Sequence, residues 1–421
     1  MTRRRALLPL LASATLALGV SACDASDAAS TAAGSGDAAA IADVWDSTVL
    51  HTFEIAYEQT DYDALMSAYE SSGEKVWIAA TVTIDGITYE DAGLKLKGNS
   101  SLRGASSADD PATLPWIVRL DKYVDGQAHD GSAGFVIRGN SSETSLNEAI
   151  ALELLDASGL AAQQAISVAL TVDDGEPALR LVVENPDDSW MERELGDGAL
   201  YKAEAGGGYD YLGDDSDAYA EVFDQEGGDD DLEPLIDFLE FVNNADDATF
   251  AEELADHLDV DAFATYLAFQ QLVDNDDDID GRGNNSYLYF DPDTGLMTVV
   301  NWDLNLAYGA TPGTGGGAGA AAGADAGDRT MPGGRAPGGA QAGAGGPSDG
   351  NILAARFLAD DDLAALVDAE VTRLTEALYG DGVADEALAA WSSMLLDGAA
   401  DLVPAATIES EASALSDRFP A

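Results

Sequence analysis

Cysteine and lysine are nearly missing from this chain of 421 residues: Cys23 is its one cysteine, and only Lys75, Lys95, Lys97, Lys122 and Lys202 carry an ammonium. A lone thiol excludes an internal disulfide. Three histidines, His51, His129 and His257, stand at no metal-ligand spacing, so no zinc pattern is present. Basic residues number 19 against 78 acidic ones, a formal charge of −59. Binding a nucleic-acid backbone needs a basic surface, so a nucleic-acid partner is excluded. The chain has neither a Gly-x-Ser-x-Gly nor a P-loop pattern, which leaves serine-hydrolase and P-loop ATPase readings without support. No apolar run reaches the ~20 residues of a membrane-spanning helix. What is plentiful is carboxylate, on a chain whose 46% hydrophobic content is enough to bury a core. Such acidity means a solvated surface, with some carboxylates available to gather on divalent cations.

At the N-terminus Arg3, Arg4 and Arg5 precede an apolar stretch from Ala6 to Val20, closed by Ser21-Ala22-Cys23. That is the layout of a secretory signal. The segment resembles a bacterial lipobox, which implies removal of residues 1–22, acylation of Cys23 and anchoring at the outer face of the cell membrane. Ordinary secretory cleavage beside an incidental cysteine is the alternative. Residues 23–40 are rich in Ala, Ser, Gly and Asp and read as a flexible tether. The main domain is expected over 41–309 and a Gly/Ala-rich disordered insertion over 310–350. Helices over 351–421 are expected to return to the main body, in a monomer.

Apolar residues alternate from Val49 to Tyr57 as in a strand, and Leu65, Met66 and Tyr69 then fall at helical spacing. Asp85-Gly86 between Val82-Thr83-Ile84 and Ile87-Thr88-Tyr89 predicts a hairpin. Further strands are expected at 116–120, 134–138, 165–172 and 178–183, with a helix over Ser145–Ser158. The glycine-bearing run from Gly206 to Asp231 reads as an acidic loop. Helices are expected over 232–242, 248–258 and 260–272, then a hairpin of 286–290 and 297–301. Helices near 352–378 and 385–395 close the chain. The class is α+β, with a mixed or antiparallel sheet and a helical C-terminal part.

The richest chemistry lies between Asp274 and Asn285 and in Trp302-Asp303-Leu304-Asn305. Hard oxygen ligands here stand at two loop ends joined by a short hairpin, an arrangement that suits Mg²⁺, which takes one or two carboxylates and keeps sites for water and phosphate. An acidic turn built for its own geometry is the plainer reading. Asp280 and Asn285 are five residues apart, and Asp303 follows a hairpin. Protein kinases space their base Asp, metal-binding Asn and second metal-binding Asp in this order.

The block Asn284-Asn285-Ser286-Tyr287-Leu288-Tyr289 through Trp302-Asp303-Leu304-Asn305-Leu306-Ala307-Tyr308-Gly309 resembles the signature of the CotH (spore coat protein H) family. Leu96 to Ser101, Ser141 to Leu154, and Val182-Val183-Glu184 with Leu200-Tyr201-Lys202 match further segments, so the likeness is read across Val44–Gly309, with the C-terminal helices included. The resemblance implies an atypical protein-kinase-like fold that transfers phosphate from ATP to protein hydroxyls with Mg²⁺ or Mn²⁺. It implies Asp303, Asn285 and Asn305 as metal ligands and Asp280 or Asp277 as the base. Lys202 would contact phosphate, oriented by Glu184, with a surface salt bridge to Glu204 or a nearby Asp as its alternative, while Lys97, Ser100 and Ser101 would close a loop over the nucleotide. Asn305 stands where the family commonly has an aspartate, which lowers the charge available to a metal.

Asp276, Asp278, Asp280 and Gly281 also reproduce the opening of an EF-hand calcium loop. Its twelfth position would be Tyr287 where a bidentate glutamate is required. A metal-stabilised, non-catalytic envelope module, holding Mg²⁺ or Ca²⁺, is therefore the alternative function.

Overall fold

The computed structural model describes residues 43–98, 100–102, 104–204, 208–275, 277–279, 285–310 and 351–420. The signal segment, Cys23, the tether, Asp280 and the 311–350 segment lie outside the described residues.

Seven strands close a barrel in the order β1-β2-β3-β4-β5-β7-β6. They are β1 (His51–Tyr57), β2 (Ile78–Ile84), β3 (Ile87–Leu96), β4 (Trp116–Arg119), β5 (Gly134–Ile137), β6 (Ala165–Val172) and β7 (Ala178–Glu184). The β1 pattern alternates because His51, Phe53 and Ile55 point inward while Thr52, Glu54 and Ala56 face water. Asp85 and Gly86 take φ of 47° and 83° at the β2–β3 turn, the left-handed pair whose twist matches that of the flanking strands. All neighbours pair antiparallel except β6 and β1, which run parallel and close the ring. The expected mixed or antiparallel sheet is thus found here closed into a barrel. Closure depends on pairing His51 with Val168, a contact between distant segments that no local pattern announces.

A second, antiparallel sheet has the order β11-β10-β8-β9, from β8 (Ala199–Ala203), β9 (Phe223–Gly227), β10 (Ser286–Asp291) and β11 (Leu296–Asn301). Strand β9 lies inside the stretch read as a loop. Its sequence, Phe-Asp-Gln-Glu-Gly, has little apolar alternation because it is a charged edge strand paired on one side only.

Ten α-helices are found among the described residues. Helix α1 (Gln59–Ser72) follows β1, α2 (Leu146–Ser158) joins β5 to β6, and α3 (Asp188–Glu194) follows β7. Helices α4 (Glu233–Asn244), α5 (Asp247–Glu253) and α6 (Val260–Leu272) precede the β10–β11 hairpin. Then come α7 (Ile352–Ala359), α8 (Asp361–Leu374), α9 (Val383–Gly398) and α10 (Ala405–Ser416). The single helix expected over 352–378 is broken at Asp360, which is extended and caps α8 through the N–H groups of Asp362 and Leu363. Helix α8 packs on α6, and α9 and α10 pack on α2. No helix among the described residues is long and apolar enough to cross a membrane.

The barrel holds one core around Phe53, Val82, Trp116 and Ile166, and the helices bury another with β8 and β10. A third, smaller cluster joins Val136 of β5 to Leu200 of β8, Tyr287 of β10 and Trp302. Through it the barrel rests against the second sheet, and the candidate site lies at that junction.

Candidate active site

Three elements end together. Strand β5 runs straight into Arg138, α2 carries Glu148 in its first turn, and β11 leads through Trp302 to Asp303. Arg138 donates from Nε to Glu148 Oε2 at 2.9 Å, its Nη2 stands 2.8 Å from Glu148 Oε1, and Nη2 also pairs with Asp303 Oδ1. One guanidinium therefore bridges two carboxylates. Arg138 is 7% exposed and Glu148 3%, so these charges are tolerated only because they are paired. The Asp303 side chain keeps 24% exposure, leaving it open on one side. Its backbone is left-handed, with φ of 65°, a conformation that Asp and Asn adopt more readily than most residues.

Burial opposes the negative charge on Asp303, but Arg138 and Lys97 outweigh it and hold the carboxyl below its usual range. Glu148 moves the other way. Burial first, and the repulsion of Asp303 with it, raise its pKa against the pull of Arg138. Burial likewise disfavours the charge on Arg138, yet Asp303 and Glu148 more than restore it. Behind Arg138, the buried Arg180 donates to its carbonyl oxygen and fixes the backbone at that point.

Lys97, just past the end of β3, sets its Nζ 4.4 Å from the centre of the Trp302 ring, and the Arg138 guanidinium lies 5.9 Å from the same ring. Desolvation, reinforced by Arg138, lowers the Lys97 pKa to about 7. The following turn is held by Lys75, whose Nζ donates to the Gly98 carbonyl at 2.9 Å. Gly98 has φ of 98°, and a Cβ there would stand 2.1 Å from the Ser101 hydroxyl, so glycine is required twice over. Ser101 in turn packs against Gly139, whose added Cβ would meet Ser101 Cβ at 3.3 Å. Ser100 begins the 3₁₀ turn Ser100–Leu102.

Asn305 donates its backbone N–H to Asp303, and its own side-chain Oδ1 is buried with no hydrogen-bond partner among the described residues. A stranded acceptor beside a partly open carboxylate fits a hard cation. On the facing strand, Ser286 pairs with Asn301, so Asn285 sits one step beyond the last rung, opposite Trp302. Its amide donates to Asp277 Oδ2 at 2.9 Å, which ties two of the expected site residues together. No group of three Asp, Glu, His or Cys side chains placed to hold a metal occurs among the described residues. Asp303, Asn305 and Asn285 are the residues that would hold the ion.

One expectation is corrected by these contacts. Glu184 does not orient Lys202, because both its oxygens are taken by Arg193 at 2.7 Å each. Lys202 pairs instead with Glu204, two residues along the same strand direction, at 2.5 Å. The buried cation–glutamate pair at this junction is Arg138 with Glu148, neither of which was singled out from the sequence. A signal existed: Arg138 ends the apolar Gly-Phe-Val-Ile strand, and Glu148 sits on the face of α2 shared with buried Leu152 and Leu155. Charges in such places are seldom buried without each other.

All five lysines of the chain fall into one connected patch. Lys97 and Lys75 meet at the 97–98 turn, and Lys95 and Lys122 approach the Trp77 ring at 4.6 and 5.0 Å. The fields of Lys75, Lys95 and Lys97 all reach Lys202, and burial lowers the pKa of each of the three. Glu204, Asp224 and Glu226 of the second sheet face this patch.

Residues 100–395 match the family described as CotH kinase protein. This chain belongs to that family. Within the CotH match lie Arg138, Glu148, Asn285, Asp303 and helices α7 and α8, so the C-terminal helices included in the likeness read from the sequence belong to the match. Strands β1 to β3, with Lys97, precede the match, and α10 follows it. Comparison with curated proteins found no match. Among solved structures the CotH chain is similar to one from the Shewanella oneidensis MR-1 toxin–antitoxin system HipA, HipB and operator DNA complex. The identity is 12% and the TM-score 0.30, over 68% of this chain and 57% of that one. The chain thus spans little more than half the length of that protein, and a likeness this distant identifies neither fold nor function.

Proposed function

We propose that this CotH-family chain is an exported, lipid-anchored kinase of atypical protein-kinase-like fold that transfers the terminal phosphate of ATP to protein Ser or Thr hydroxyls with Mg²⁺ or Mn²⁺. The observation that carries the reading is the Glu148–Arg138–Asp303 chain with Lys97 beside it. It holds one partly open carboxylate ionised among fixed cations, the condition for a metal–phosphate site. The lysine patch supports the same reading. In a chain of charge −59, a polyanion such as ATP needs a local field of the opposite sign, and every lysine is gathered here.

In this reading Lys97 and Lys202 neutralise phosphate oxygens, and the turn at Gly98 and Ser101 closes over them. Asp303, Asn305 and Asn285 hold the divalent ion, which when bound offsets charge on the phosphoryl group. Asp280 or Asp277 takes the acceptor hydroxyl's proton. The acceptor oxygen forms its bond to the terminal phosphorus as the bond to the bridging oxygen breaks, and ADP leaves with that electron pair. Cys23 carries the anchor at the outer face of the membrane.

The ion pair of Asp303 with Arg138 gives the alternative a specific footing, because a built-in cation already satisfies one Asp303 oxygen. A metal-stabilised binding module would need no more. Thermal shift with Mn²⁺ and ATP separates the two: the kinase reading expects stabilisation that needs both and disappears in Asp303→Ala. Phosphate transfer from labelled ATP to envelope proteins should follow the same pattern. Stabilisation by Ca²⁺ alone, indifferent to ATP and to Asp303, would overturn it. Loss of the protein from the membrane fraction in Cys23→Ser is expected, and its retention would refute the anchor.

A further inference from the structure

The last helix and the residues after it lie beyond residue 395, where the family match ends, and they hold both loops that frame Asp303. The Glu411 carboxylate accepts from the backbone N–H groups of Glu143 and Thr144, at 3.0 Å each, and from the Thr144 hydroxyl. The turn it grips needs outside support. Ser145, which begins α2, is left-handed with φ of 54° and makes no side-chain cap, and the Thr144 hydroxyl oxygen receives the Leu146 N–H instead. Within the first turn of α2, Asn147 donates to the carbonyl of Asn305 at 2.8 Å and Glu148 holds Arg138.

A second arm reaches the other loop. Arg418 donates to the Tyr308 carbonyl, and Phe419 packs on the rings of Tyr308 and Tyr379, each with centres 5.5 Å away. Tyr308 is itself left-handed, with φ of 60°, and a Cβ on neighbouring Gly309 would stand 2.8 Å from Arg418 Nη1. Helix α10 is seated between these arms by buried Ile408 and Leu415.

We infer that residues 411–419 are a positioning clasp for the metal-binding loop: Glu411 sets the entry of α2, and Arg418 with Phe419 sets the exit of the 303–310 segment. The clasp rests on the reading of Asp303 as the metal carboxylate. Its contacts act on Asp303 through Asn147, Glu148 and Arg138, not by touching it.

Two variants of the full chain test this, Glu411→Ala and Arg418→Ala, with Glu411→Gln as the conservative form that keeps one acceptor oxygen. Amide hydrogen exchange of the ligand-free protein is the first measurement. Glu411→Ala is expected to speed exchange at 143–149 and also at 303–307, which Glu411 does not contact. The second is Mn²⁺–ATP affinity by titration, expected to weaken about tenfold, as when an outer support of a metal ligand is lost, and to recover in part in Glu411→Gln. Faster exchange confined to 143–146 would overturn the clasp, as would unchanged affinity in a protein that binds Mn²⁺–ATP. Should the wild-type chain bind no nucleotide, the functional reading fails, and exchange at 303–307 still decides the clasp. If Glu411→Ala does not fold, Arg418→Ala answers by the reverse readout, faster exchange at 145–149.

Discussion

Arg138 and Asp303 stand 165 residues apart in the chain and form an ion pair where the barrel meets the second sheet. Both conformational and electrostatic demands converge on it: Asp303 is left-handed, and Arg138 is shared with a nearly inaccessible Glu148.

Removing the shared cation should be far more damaging than removing its open partner. Arg138→Ala leaves Glu148 buried without a counter-charge, for which a loss of about 3–5 kcal/mol is expected. Asp303→Asn keeps the Arg138–Glu148 pair and should cost less, about 1.5–3 kcal/mol, the range of a lost hydrogen bond to a charged group. Urea denaturation of the two variants measures the contrast, and equal losses would contradict the assigned hierarchy.

Lys97 makes both stability and nucleotide binding depend on pH. Its pKa is lowered to about 7 in the folded chain, against about 10.4 when unfolded. Between those values the unfolded chain binds more protons, so this group's contribution makes stability rise with pH across that window. Nucleotide affinity should fall over the start of the same window, because the ammonium that meets phosphate is lost. Lys97→Met is expected to flatten both dependences, measured by denaturant titration and by ATP titration at pH 6 to 9.

Lys202 and Arg193 exchange the roles that a kinase-like pairing with Glu184 would give them. Lys202→Ala should weaken ATP binding several-fold with little change in stability, since its pair with Glu204 is partly exposed. Arg193→Ala should leave ATP binding intact and destabilise the chain, because Glu184 is 3% exposed and loses both its charged hydrogen bonds. Isothermal titration beside thermal melts reads each effect separately.

A further titrating pair closes the barrel at β1. Burial opposes the charge on His51, but the Asp85 carboxylate at 2.6 Å and the Asp46 carbonyl raise its pKa, while His51 and the Thr52 N–H lower that of Asp85 against its own burial. The His51 contribution is complete below its unfolded pKa of about 6.5 and is lost as pH rises through the folded value. The Asp85 contribution is complete above about 3.9 and is lost as pH falls through its lowered value. His51→Gln should therefore cost most between about pH 4 and 6.5 and progressively less above that window, as melts across pH would show.

How much of this was legible in the sequence follows the range of each interaction. The Asp85-Gly86 hairpin, the 260–272 helix and the hairpin that presents Asn285 and Asp303 all rest on neighbours a few residues away, and turn chemistry and periodicity report such contacts directly. Strand β9 was hidden because an edge strand pairs on one side and carries charge, so it has no apolar rhythm to read.

The sequence by itself determined the acidic character, the kinase-like spacing of Asp280, Asn285 and Asp303, and the family block that contains them. Which cation faces which carboxylate was decided only by the tertiary structure. Glu184 chose Arg193 over Lys202, and Arg138 joined Glu148 to Asp303, because burial makes an unpaired charge so costly that partners are set by where the barrel, α2 and β11 end in space. Proximity in the folded chain, not along it, made the site.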